Sequence, residues 1–61
     1  MNNLKSVRLA DPRHLTQKDV ADWLGVERTT YGKYEQGNSE PTFDTLCRLA
    51  DYFNVSVEYL M

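Results

Sequence analysis

The chain has little of what staples a small protein together. Its 61 residues include one cysteine, Cys47, and one histidine, His14, so no internal disulfide can close and no four-ligand zinc site can form from them. At this length a single hydrophobic core is close to marginal, which makes self-association a natural supplement. No apolar run approaches the roughly 20 residues of a membrane span, and the N-terminal residues lack the apolar stretch of a signal peptide. The cytoplasm is the expected compartment, with no membrane partner. Gly-rich phosphate loops, Ser/His/Asp sets and metal-ligand clusters are also missing. An enzyme is therefore the weakest functional class for this chain, and neither a cofactor nor a metal is expected.

Excess basic charge is absent too. A net charge of -2 and a pI near 5.1 argue against nucleic-acid binding, which usually relies on a basic face. The distribution argues the other way. Residues 1–34 carry six basic and four acidic side chains, whereas residues 35–61 carry Arg48 against five acids. Any phosphate-facing surface belongs to the first half.

What is present reads as five helices, no strands and one domain over residues 1–61. Leu4 and Val7 suit a short amphipathic helix from Asn3 to Ala10, stopped by Pro12. Thr16 followed by Asp19 resembles a capping box, and Val20, Ala21 and Leu24 then recur at helical spacing from about Gln17 to Leu24. Gly25 can take the positive φ that ends a helix, and a third helix begins only a few residues later, from Arg28 to Gln36. Tyr31 and Tyr34 share one face of it, leaving Arg28, Thr29, Gly32 and Lys33 toward the opposite or flanking face. After the loop around Pro41, Thr42 caps a longer helix with Phe43, Leu46, Leu49, Ala50 and Phe53 on its inner stripe, and Ser56 caps a last short helix with Val57 and Leu60.

The spacing of Val20, Ala21, Leu24, Gly25, Val26, Tyr31 and Tyr34 has a steric logic. A small Ala lets two helices cross closely, Gly makes the turn, and the later apolar residues close the wedge. Through LTQKDVADWLGVERTTYGKYEQG and EPTFDTLCRLADYFNVSVEYL the chain resembles the Cro and lambda-repressor type helix-turn-helix family. The resemblance covers roughly residues 15–60.

It implies an all-α, five-helix lambda-repressor-like domain whose second helix lies across the DNA backbone while the third enters the major groove. It also implies a phosphate contact for Gln17 at the start of the second helix. Base reading would fall to Arg28, Thr29 and Lys33, with Thr30 nearer the sugar-phosphate edge; an Arg can reach guanine O6 and N7 with two bonds. Gln36, Asn38 and Ser39 match the family's phosphate-contacting loop without a cation there, so a shallow salt dependence follows, with Arg13 or Lys18 able to compensate from the other flank. Two departures stand out. Glu27 occupies a place usually held by a Ser or Thr cap; and where the family pairs an Arg of the first helix with the residue matching Glu35, ungapped alignment puts Ala10, while a two-residue insertion around Asp11 to Arg13 makes Arg8 the favoured partner in a structural ion pair.

Some residues stay open at this level. Cys47 reads as a small packing residue. Trp23 either covers the side of the helix pair or marks a partner surface, and Gly32 either lets the backbone approach DNA or has no special task. Tyr52, Val57, Tyr59 and Met61 could leave apolar area at an end where the family often dimerises. The leading function is a sequence-specific DNA-binding transcriptional regulator, acting as a repressor and homodimer on double-stranded DNA. The alternative is an antitoxin-type or protein-interaction module that uses DNA only secondarily.

Overall fold

Five helices follow one another in the computed structural model, which describes residues 2–61. They are α1 (Leu4–Ala10), α2 (Gln17–Leu24), α3 (Arg28–Gln36), α4 (Phe43–Phe53) and α5 (Val57–Leu60). No strand occurs among the described residues, and none of their helices is long and apolar enough to cross a membrane. The expected boundaries hold except at Asn3, which precedes α1 as its cap and makes no side-chain capping bond.

Local chemistry sets the helix ends. The Thr16 hydroxyl accepts from the Asp19 N–H at 3.1 Å while the Asp19 carboxylate accepts from the Thr16 N–H at 2.9 Å, so two orphan donors are satisfied reciprocally. Thr42 and Ser56 cap α4 and α5 in the same sense, accepting from Thr45 and Tyr59. At the end of α2, Gly25 adopts φ 85°, a conformation that costs a residue with Cβ. Its N–H and that of Val26 both donate to Ala21 O, at 2.9 and 3.0 Å, turning the chain sharply into α3.

Leu4 and Val7 of α1, Val20, Ala21 and Leu24 of α2, Tyr31 of α3, Leu49, Ala50 and Phe53 of α4 and Leu60 of α5 form one buried cluster. Tyr34 is half-buried with its ring edge-on to Tyr31, centroids 6.4 Å apart. Both ends of the chain are tied in. The Asn3 N–H donates to Leu60 O at 3.0 Å, and the side-chain amides of Asn3 and Asn2 donate to Tyr59 O and Tyr34 O.

One core expectation fails. Phe43 is 68% exposed, although its spacing places it on the inner stripe of α4. It is the first residue of that helix, and helical side chains lean toward the N-terminus, so its ring projects past the end of the stripe. Trp23 is partly exposed but covers the seam between α2 and α4, its ring stacked on Tyr52 at 4.0 Å and 18°. Arg48 lies over the indole at 5.2 Å and Arg13 over Tyr52 at 4.3 Å. Cys47 is half-buried within α4 and unpaired.

Candidate nucleic-acid interface

Because Ala21 is fully buried and Gly25 turns the chain, α3 packs closely on α2 and turns Tyr31 inward. The residues on the other side of α3 must then face solvent, since helical faces are fixed by the 3.6-residue period. Thr29, Lys33 and Gln36 are exposed there, and Arg28, the first residue of α3, is exposed on its flank. With Gln17 and Gly32 they line a shallow cleft of about 210 Å³. Five of the expected contact residues therefore share one surface.

The others stand apart from it. Thr30 is half-buried. Lys18 pairs with Asp22 at 2.8 Å along the outside of α2, and Asn38 donates its amide to Gln36 Oε1 at 3.0 Å beyond the end of α3. Arg13, the other candidate for compensating charge, is held by both carboxylate oxygens of Asp11 and by Tyr52 O. Arg28 and Lys33 form no ion pair among the described residues. They are the cations of the cleft without a carboxylate against them.

Beneath the cleft lies a polar network. Arg8 donates from Nε to Glu35 Oε2 at 2.6 Å and from Nη2 to Oε1 at 3.2 Å, the fork geometry that makes Arg–carboxylate pairs strong. The Glu35 side chain is only 2% exposed, and the third Arg8 nitrogen donates to Leu15 O at 3.0 Å. Arg8, not Ala10, is thus the partner of Glu35. Burial alone would push the Glu35 carboxyl up, but hydrogen bonds from Arg8 and Gln17 outweigh it and hold the group below the usual carboxylate range. The Tyr31 hydroxyl beside it is buried without a hydrogen-bond partner among the described residues, and burial drives its ionisation upward.

Sequence reasoning missed what Gln17 does inside the protein. Its side-chain nitrogen donates to Glu35 Oε1 at 3.0 Å and its oxygen accepts from Arg28 Nη1 at 3.3 Å. Gly32 lies directly under this amide: a Cβ there would meet Gln17 Oε1 at 3.4 Å. A Gly in the middle of a helix opposite a Gln at the start of the preceding one was the available signal.

Glu35, Asp11 and Asp19 together are expected to set the acid limit of stability. Arg13 hydrogen bonding lowers Asp11 from 3.8 to about 2, the Thr16 N–H lowers Asp19, and Glu35 is lowered as described. A depressed folded-state pKa contributes stability above the unfolded value that is lost as pH falls through the folded one. Acid titration followed by circular dichroism should therefore show a flat signal above about pH 5 and unfolding between about pH 4 and pH 2. Loss of helicity already at pH 6 would contradict this carboxylate assignment.

The profile of the helix-turn-helix family matches residues 4–60. Over 59 residues the chain is 41% identical to an uncharacterized HTH-type transcriptional regulator, YqaE, of Bacillus subtilis, covering 97% of this chain and 49% of that one. It is 44% identical over 46 residues to the SPbeta prophage-derived uncharacterized HTH-type transcriptional regulator YonR of Bacillus subtilis, covering 75% of this chain and 43% of that one. It is 39% identical over 56 residues to the cryptic phage CTXphi transcriptional repressor RstR of Vibrio cholerae, covering 87% of this chain and 50% of that one. The chain spans about half the length of these relatives. No solved structure matches it significantly.

Proposed function

Since the chain belongs to the helix-turn-helix family, we propose that it binds double-stranded DNA sequence-specifically, with α3 in the major groove, and regulates transcription by occupying a promoter. The observation that carries this reading is the cleft in which Arg28, Thr29, Lys33 and Gln36 face outward beside Gln17, the arrangement a groove-reading helix requires. Arg28 reads guanine; Thr29 and Lys33 contact neighbouring bases or phosphates; Thr30, Gln36 and Asn38 lie toward the sugar-phosphate flank. Gln17 holds a phosphate at the start of α2, where the helix dipole favours an anion, and Lys18 lies on the same flank.

The working unit in this proposal is a homodimer, with two α3 helices about 34 Å apart on a two-fold symmetric site. Tyr59 supports it: its ring is 58% exposed on α5, apolar area that a second copy would cover.

The test is selection of bound duplexes from a random-sequence pool, followed by titration of the selected duplex from low to high salt. A defined sequence should emerge. Because Arg13 and Lys18 are held by Asp11 and Asp22, the slope of log affinity against log salt should be only about -2 per domain. A pool that stays random sinks the proposal, and a slope of about -4 per domain means that Arg13 and Lys18 leave their partners to neutralise phosphates.

A further inference from the structure

The Gln17 amide sits between two groups that can each play a single hydrogen-bonding part. A carboxylate only accepts and a guanidinium only donates. With Nε2 on Glu35 and Oε1 toward Arg28, both demands are met. Turned over, the amide would aim its NH2 at a guanidinium and its carbonyl at a carboxylate. Glu35 thus decides which end of Gln17 faces the cleft. Glu35 cannot itself yield, because Arg8 grips both of its oxygens and its side chain is all but removed from solvent. Gly32 lies beside this amide, where an added Cβ would come into van der Waals contact with Gln17 Oε1 at 3.4 Å.

We propose that Glu35 is a positioning residue for base readout: through its accept-only carboxylate it orients the Gln17 amide so that the amide oxygen holds the Arg28 guanidinium over the cleft. The inference rests on the reading of that cleft as the DNA-contacting surface. Glu35 touches no DNA and acts at a distance of two side chains. Specificity at the base pair read by Arg28 therefore depends on a buried ion pair whose other half is on α1.

The experiment measures every single base-pair substitution of the selected duplex with the unaltered protein and with Glu35→Gln, Gln17→Met and Arg28→Ala, the first two also combined with Arg28→Ala. A Gln at position 35 can keep its oxygen on Arg8 Nε and, giving up the longer bond from Nη2, place its NH2 toward Gln17, which reverses the amide. Glu35→Gln and Gln17→Met should each reduce discrimination about three- to tenfold, the range of one hydrogen bond, at the base pair that Arg28→Ala flattens. Other positions should keep their discrimination, and in the Arg28→Ala background neither change should alter any ratio further. Lost phosphate contact or lost stability weakens all sequences alike and does not move these ratios. Unchanged discrimination, or a loss that persists without Arg28, overturns the proposal. Should Glu35→Gln fail to fold, Gln17→Met, at a half-buried site, decides by the same criteria. If Arg28→Ala itself flattens no position, it is base reading by Arg28 that has failed, and the positioning role goes with it.

Discussion

Replacing Arg8 by alanine is expected to destabilise the domain by about 3–5 kcal/mol, the usual consequence of removing one half of a buried ion pair. The Glu35 carboxylate, 2% exposed, would lose both bonds from Arg8 and keep the Gln17 amide as a donor beside the Tyr31 hydroxyl, and Leu15 O would lose the partner it has in Arg8 Nη1. At about 0.05–0.15 kcal/mol per residue, 61 residues support a total stability of only about 3–9 kcal/mol. Thermal unfolding should thus fall by about 15–30 °C, or the variant should be unfolded at room temperature. The paired change Arg8→Met with Glu35→Leu removes both charges and fills the space with apolar atoms, so it should recover most of the loss. Urea melts of the two variants check this: an Arg8→Ala loss below about 1 kcal/mol would mean that water reaches the pair freely.

The second large effect concerns DNA. Arg28→Ala should cost about 1–3 kcal/mol of preference for guanine at one base pair of the bound site, roughly 5- to 150-fold in relative affinity. Arg28→Lys should recover little of it, because an ammonium cannot reproduce the two parallel bonds of a guanidinium. Competition binding with duplexes differing at single positions gives the answer. Equal weakening on every sequence would make Arg28 a phosphate contact rather than a reader.

Helix limits were legible because their signals are local: Thr16 with Asp19, Gly25, and Thr42 each act within one turn. The outward face of α3 was legible too, since Tyr31 inward turns Thr29 and Lys33 outward by periodicity, whereas Arg28, one turn before Tyr31, is on the flank and is exposed as the first residue of the helix. The Lys18–Asp22 pair is an i,i+4 contact, readable from spacing though not weighed against the expected DNA role of Lys18. Contacts between distant residues were a different matter. Arg8 and Glu35 are 27 positions apart, and only the family resemblance joined them. The bonds from Gln17 to Glu35 and Arg28 depend on how closely α2 and α3 cross, which no pattern of residue types encodes. Phe43 was misplaced because periodicity says which side of a helix a residue occupies but not whether the helix has yet reached the core. His14, held at φ 57° in the loop before α2, had no mark in the sequence.

The stack of Trp23 on Tyr52 beneath Arg48 gives the molecule a built-in optical gauge. As the sole indole, Trp23 alone sets the red-edge emission, and its contact with an aromatic ring and a nearby cation will differ from its environment in the unfolded chain. Separation of α2 from α4 can therefore be followed by intrinsic fluorescence without a label. Trp23 does not line the cleft, so the same signal should stay largely silent while the cleft is filled, and a change on adding duplex would report movement between helices rather than contact with bases.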